Sequence, residues 1–166
     1  MLHRHGHGVS RSLLEERPIG MALKRGGILR ILETQGVTET ILKVRSYECD
    51  SFGHVNNAVY LNYLEYGRMG VLDKAGFTLA KLKQQGVFIV VRRIEIDYKT
   101  PAREGDTLVI RTRLKEYHKM KGTFNQEILI SPKGPLVARA KVTWVFTDLD
   151  GALIPIPQFF RDALGF

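Results

Sequence analysis

The sequence predicts an α+β domain in which an antiparallel sheet of about five strands wraps around one long helix. Three observations support this class: one extended helical period, one strand pattern before it, and four strand patterns after it that Gly or Pro turn signals separate. Because parallel neighbours need long crossovers and these connections are short, the strands are expected to pair in antiparallel fashion.

The helix should follow directly on a polar loop. Its apolar positions are Tyr60, Tyr63, Leu64, Val71, Leu72 and Ala75. This i, i+3, i+4 spacing describes one buried face. Asn56 and Asn57 are suited to cap the start of the helix, and Gly76 is suited to end it. Gly67 and Gly70 inside the helix cost roughly 1 kcal/mol each relative to Ala, which a close approach of the sheet would explain.

The first strand, predicted over residues 38–45, leads into the polar loop. The later strands are predicted over residues 87–99, 107–117, 123–131 and 136–147. One face of these strands is more apolar than the other, so that face should cover the helix. A polar connection over residues 81–86 is expected after the helix, and Pro157 is suited to the first turn of a short terminal helix.

The length of 166 residues and an apolar content of 44% fit one globular domain with a real core, predicted over residues 38–166. Residues 1–37 are interpreted as an N-terminal extension, partly disordered or holding a short helix over residues 28–32. His3, His5 and His7 alternate there with Gly, which favours a flexible leader over a metal site.

The formal charge of +8 is spread along the chain, with +3 in residues 1–37 and +5 in the remainder, and this weakens a nucleic-acid interpretation. The single cysteine, Cys49, cannot form an intrachain disulfide, which suits a reducing cytoplasm. No segment approaches the roughly 18 apolar residues of a membrane span. A cytoplasmic protein without a membrane span is therefore expected.

The polar loop and the first helical turn carry the string D-x-x-G-H-V-N-N-x-x-Y from Asp50 to Tyr60. This string resembles the hot-dog-fold thioesterases of the 4-hydroxybenzoyl-CoA thioesterase-like group. The wording GHVNNAVY is most similar to long-chain acyl-CoA members, and HVNN also recurs in plant acyl-ACP thioesterases. The resemblance implies a curved antiparallel sheet around one long central helix, in agreement with the pattern. It also implies a homodimer or homotetramer.

Thioester hydrolysis needs a group that polarises the carbonyl and a group that activates a nucleophile. A loop that enters a helix N-terminus offers unpaired N–H groups and a positive dipole end. By resemblance, the backbone N–H of Asn57 is the oxyanion donor and Asp50 is the catalytic carboxylate, acting as nucleophile or as general base. An Asp in such a loop is otherwise a turn former or a cap.

The other candidates in this segment have weaker arguments. His54 would orient substrate or water, or only hydrogen-bond the loop; acyl-ACP thioesterases have Asn where this chain has Phe52, so their catalytic set cannot be transferred whole. Glu65 would act opposite Asp50 or pair with Arg68 at i, i+3. Further substrate contacts are expected from Gly53, Asn56 and Tyr60.

Coenzyme A carries a 3′-phosphate and a diphosphate, which basic side chains should bind. Arg92, Lys119 and Lys121 are the candidates, although a basic hairpin tip is commonly just solvated. The leading hypothesis is an acyl-CoA thioesterase that releases a free medium- or long-chain aliphatic acid and CoA, with no metal and no cofactor. The alternatives are an acyl-ACP thioesterase and a non-catalytic acyl-thioester binding module.

Overall fold

Five long strands and one very short strand form a single antiparallel sheet around a central helix in a computed structural model, which describes residues 36–131 and 133–165. The strands are β1 (Thr38–Lys43), β2 (Val87–Tyr98), β3 (Thr107–Tyr117), β4 (Lys121–Ile130), β5 (Leu136–Asp148) and β6 (Leu153–Ile154). Their order is β1-β3-β4-β5-β2, with β6 beside β5. This architecture confirms the predicted α+β class.

The described residues form three α-helices beside the sheet: α1 (Val59–Lys74), α2 (Leu79–Gln84) and α3 (Gln158–Leu164). The prediction of a plain polar connection over residues 81–86 is wrong, because α2 forms there and the Thr78 hydroxyl accepts a hydrogen bond of 3.1 Å from the Lys81 N–H. Six helical residues are too few to show a clear period. Pro157 directly precedes α3, one position before the predicted first turn.

The central helix α1 packs closely against the sheet at its two glycines. A Cβ at Gly67 would lie 2.5 Å from Ile110 Cγ2, and a Cβ at Gly70 would lie 2.7 Å from Thr40 Oγ1. The expected close approach is therefore confirmed. The left-handed φ of 77° at Gly76, directly after the Ala75 C-cap, also confirms the predicted helix end.

The core lies between α1 and the apolar face of the sheet. Leu64 of α1 is fully buried, and so are Val142 and Phe146 of β5. Phe160 of α3 is also fully buried and stacks on Phe77 with ring centroids 5.2 Å apart, which closes one end of the core. Burying each such side chain contributes about 1.5–3 kcal/mol, so the core holds α1 firmly in place.

Strand β2 is an outer strand of the sheet and pairs with β5 alone among the described strands. Its apolar residues Phe88, Val90 and Val91 are each more than one-third exposed. The described helices include none that is long and apolar enough to cross a membrane. The extension predicted over residues 1–37 lies almost wholly outside the described residues, together with its histidines and its short helix, and it stays a prediction.

Candidate active site

The polar loop is a closed turn between a short 3-10 helix (Ser46–Glu48) and α1. Cys49 and Val55 form an antiparallel bridge across it, and the Asp50 N–H donates to the His54 carbonyl at 2.8 Å. Gly53 has a φ of 72°, a left-handed conformation that the tight turn requires. The loop is thus a defined structure that holds Asp50 at its base.

The two oxygens of the half-buried Asp50 carboxylate differ in their hydrogen bonding. Oδ1 accepts hydrogen bonds from the Phe52 N–H at 2.9 Å and the His54 N–H at 3.3 Å. Oδ2 has no hydrogen-bond partner within residues 36–131 and 133–165. Asp50 is therefore a turn former, as the simpler interpretation expected, and it also keeps one oxygen available for a ligand or a water molecule.

Asn56 organises the entry to α1. Its side-chain oxygen accepts from the Ala58 N–H at 2.9 Å, and its carbonyl accepts from the Val59 N–H at 2.9 Å. The N-cap residue of α1 itself is Ala58, which offers no side-chain cap. The prediction that Asn56 and Asn57 both cap the helix is thus wrong in detail, since Asn56 alone caps the turn that precedes it.

Asn57 lies between these capped groups and presents its own N–H. No acceptor for that N–H occurs in the described part of the chain, whereas the Asn57 carbonyl accepts a hydrogen bond of 3.0 Å from the Tyr98 hydroxyl. The Tyr98 hydroxyl fixes the loop against β2. An unpaired N–H at the start of a 16-residue helix is a suitable donor to a developing oxyanion.

His54 also lacks a partner for one of its polar atoms. Its Nε2 is buried and has no hydrogen bond within the described residues. Its neighbour Gly53 lies near Arg103, whose Nη1 would be 3.9 Å from a Cβ built at Gly53. The structure thus places His54 in the same loop as Asp50, with one imidazole nitrogen buried and unpaired among the described residues.

A buried carboxylate beneath the loop supports it. Glu48 accepts hydrogen bonds of 2.8 Å from the Tyr63 hydroxyl and 2.8 Å from the Arg45 N–H. Burial, together with this carboxylate, raises the pKa of Tyr63 well above its usual range. The sequence pattern does not predict this pair, because Tyr63 fits the apolar stripe of α1 and Glu48 is 15 residues away.

Tyr60 is buried next to Tyr63 and is not at an open surface. It is 4% exposed, its hydroxyl accepts from the Ala102 N–H at 3.2 Å, and its ring centroid lies 5.4 Å from that of Tyr98. Burial raises the pKa of Tyr60. The structure gives Tyr60 a positioning role for the loop, and the predicted substrate contact stays a prediction.

A side cleft of about 480 Å³ runs between α1 and β2. Its lining includes Leu61 and Glu65 from α1, Val90 and Ile94 from β2, and Trp144 from β5. The lining of the cleft begins at Leu61 in the first turn of α1 and includes no residue of the polar loop. Glu65 thus faces the cleft, and the described ion pairs do not include the alternative pair of Glu65 with Arg68.

A basic groove of about 560 Å³ collects two of the predicted phosphate contacts. Arg92 and Lys121 line it together with Arg93 and Lys141. Arg92 lies six residues, or about 20 Å, along β2 from Tyr98. Lys119 is exposed in the neighbouring turn and does not line the groove. No cluster of three or more His, Cys, Asp or Glu side chains suited to hold a metal occurs among the described residues.

Comparisons with known proteins identify relatives of this chain. A family model described as the thioesterase-like superfamily matches residues 44–164. The long-chain acyl-CoA thioesterase FadM of Escherichia coli (strain K12) is 36% identical over 111 residues, which cover 67% of this chain and 83% of FadM. The chloroplastic acyl-acyl carrier protein thioesterase ATL2 of Arabidopsis thaliana is 33% identical over 143 residues, which cover 82% of this chain and 76% of ATL2.

Solved structures show the same similarity. The crystal structure of YbaW, a probable thioesterase from Escherichia coli, has a TM-score of 0.66 and 32% sequence identity, and the match covers 76% of this chain and 96% of that one. The wrapped sheet and central helix are shared, which confirms the predicted hot-dog fold.

Proposed function

Because the chain belongs to the thioesterase-like superfamily and is a thioester hydrolase of the hot-dog fold, we propose that it hydrolyses an acyl-CoA to a free acid and CoA. The observation that carries the proposal is that one loop at a helix N-terminus holds both a carboxylate oxygen of Asp50 and an N–H of Asn57 that have no partner among the described residues. This pair supplies the two groups that thioester cleavage needs.

The thioester oxygen would accept a hydrogen bond from the Asn57 N–H, where the helix dipole favours the negative charge that grows on that oxygen. Asp50 Oδ2 would then take a proton from water as the water attacks, or attack the carbonyl itself to form a mixed anhydride that water hydrolyses. In both routes the CoA thiolate leaves and is protonated, and one water is consumed. His54 is proposed to orient the substrate or the water.

The acyl group is proposed to be a medium- or long-chain aliphatic group. The apolar walls of the side cleft support this, and so does the similarity to a protein named a long-chain acyl-CoA thioesterase. Glu65 is placed at this cleft and would contact the bound acyl group or the water. Arg92 and Lys121 in the basic groove, with Lys119 beside them, are proposed to bind the CoA phosphates.

A homodimer or homotetramer is proposed as the active form. The exposed apolar residues on the outer strand β2 would be covered by a second copy. We also propose a cytoplasmic location, a role in fatty acid metabolism, and a reaction that needs no metal or cofactor. These three proposals rest on the family assignment and not on the geometry of the Asp50 loop.

The similarity to an Arabidopsis acyl-acyl carrier protein thioesterase favours one second candidate, hydrolysis of acyl-ACP. A panel of acyl-CoAs and acyl-ACPs, assayed for free thiol, separates the two substrates by their kcat/KM. Release from acyl-CoA at the higher kcat/KM is the expected result. Binding of the thioesters without thiol release would overturn the enzyme proposal and leave a non-catalytic binding module.

A further inference from the structure

The side cleft contains an arginine that forms no ion pair with any described residue. Arg68 lines the cleft and is only 8% exposed. Its Nη1 donates to Gln126 Oε1 at 3.1 Å, and it takes part in none of the ion pairs of the described residues. Gln126 is neutral, and the charge of Glu65 nearby in the cleft acts on Arg68 without forming an ion pair among the described residues.

Gln126 cannot offer Arg68 more than this one acceptor. Its Nε2 donates to the Leu64 carbonyl at 2.9 Å and to Thr112 Oγ1 at 2.8 Å, which fixes the orientation of the amide. The remaining guanidinium donors of Arg68 have no partner within residues 36–131 and 133–165. Burial lowers the pKa of Arg68 despite the nearby charge of Glu65. Guanidinium donors that line a cleft in this way are costly to cover with a ligand unless an acceptor of that ligand reaches them.

The position of Arg68 in the cleft indicates which part of a substrate it would meet. Arg68 follows Val59, the first residue of α1, by nine residues, which places it about 14 Å along the helix axis. The lining of the cleft begins at Leu61, four residues after Asn57, whose N–H is proposed to bind the thioester oxygen. An acyl chain that enters there and follows the cleft would bring its distal atoms, and not its carbonyl, to Arg68.

We propose that Arg68 is a specificity-determining residue that selects acyl groups carrying an oxygen acceptor, a hydroxyl or a carboxylate, at their distal end. The inference rests on the proposed function. The apolar wall of β2 accommodates the hydrocarbon part of the acyl chain. The guanidinium N–H groups of Arg68 need an acceptor, which an oxygen at the end of the chain supplies. A plain hydrocarbon chain would leave those donors buried and unpaired.

The test compares saturated medium- and long-chain acyl-CoAs with their ω-hydroxy and ω-carboxy analogues of equal length. With the wild-type protein we expect kcat/KM to be about tenfold higher for an oxygenated analogue at the length that reaches Arg68. The two analogues decide whether a neutral or a charged oxygen is preferred. Arg68→Met keeps the length of the side chain and removes its donors, so the ratio should fall to near one.

Two variants control this comparison. Arg68→Lys keeps the charge without the planar fork and should retain part of the preference. Arg113→Met removes an exposed arginine from β3, outside the side cleft, and should leave the ratio unchanged. Gel filtration of every variant reports the oligomeric state. An altered oligomer in Arg68→Met with an unchanged substrate ratio would mean that a second copy meets the charge, and the proposal would be overturned.

The wild-type result alone can also overturn the proposal, whether or not the variants fold. Faster or equal hydrolysis of the plain acyl-CoA at every chain length would do so while leaving the proposed function intact. If no acyl-CoA is hydrolysed, the proposed function fails, and calorimetric binding of the same matched thioesters to the wild-type protein decides the selectivity. Tighter binding of the oxygenated member then supports the role of Arg68, and equal binding refutes it.

Discussion

The two oxygens of Asp50 allow its role in folding and its role in chemistry to be measured separately. Asp50→Asn keeps an Oδ1 that can accept from the Phe52 and His54 N–H groups, but it removes the carboxylate. Asp50→Ala removes both the accepting oxygen and the carboxylate charge. Because each hydrogen bond of this kind contributes roughly 0.5–1.5 kcal/mol, Asp50→Ala should lower the free energy of unfolding by about 1–2 kcal/mol. Asp50→Asn should change it by less than about 1 kcal/mol.

Activity should follow the carboxylate and not the turn. General-base catalysis contributes about 100- to 10,000-fold, so both Asp50 variants should lose at least about 100-fold in kcat/KM. Thiol release from an acyl-CoA measures activity, and urea unfolding measures stability. Asp73→Asn removes another carboxylate, exposed on the last turn of α1, and is the matched control that should change neither.

Two results would refute this reasoning. If Asp50→Asn keeps more than about a tenth of wild-type kcat/KM, the carboxylate is not in the chemistry, because an amide cannot act as a general base. If Asp50→Asn is destabilised as much as Asp50→Ala, the accepting oxygen is not what holds the turn. An equal loss of activity in both variants, with a loss of stability in Asp50→Ala alone, is the expected pattern.

Three further predictions concern the support of the loop, the packing of α1 and the basic groove. Gly67→Ala should lower the free energy of unfolding by about 1–3 kcal/mol in urea, because the new Cβ meets the sheet. Tyr63→Phe should cost about 1–3 kcal/mol at neutral pH, because the buried carboxylate beneath it loses a donor. The raised pKa of Tyr63 means that the wild-type protein keeps this stability below about pH 10 and loses it above, so its Tm should fall there more steeply than that of Tyr63→Phe. Lys121→Gln should raise KM for acyl-CoA about threefold to tenfold with little change in kcat. Lys115→Gln, at an exposed position outside the groove, should leave KM unchanged. An equal rise in KM for both variants would contradict binding of the CoA phosphates in the basic groove.

The sequence was sufficient to predict the features that local patterns encode. Strand bounds agree with the structure to within two residues, and the glycines of α1 correctly indicated a close approach of the sheet. These features depend on neighbours at fixed spacing along the chain. The string from Asp50 to Asn57 likewise folds into a single loop, so its residues are close together because they are close in sequence.

The contacts that the sequence could not predict join distant parts of the chain. Tyr98 reaches Asn57 across 41 residues, and Arg68 reaches Gln126 across 58 residues. In the sequence, a tyrosine such as Tyr63 on the apolar face of a helix looks like any other core residue until the partner of its hydroxyl is known. A buried arginine likewise resembles a solvated one in a pattern of charges. Only the sheet register reveals these partners, because it decides which side chains face α1.

The residue that caps the turn leading into α1, Asn56, connects the fold to the proposed chemistry. Asn and Asp cap helices about equally well, and a negative charge there would also gain from the helix dipole. Stability alone would therefore favour Asp at position 56 over Asn56. An aspartate, however, would place a charge beside the Asn57 N–H, where the thioester oxygen becomes negative, and two such charges repel by about 1–3 kcal/mol across a few ångströms of protein surface. The neutral amide of Asn56 instead satisfies the Ala58 N–H and leaves the positive end of α1 to the substrate.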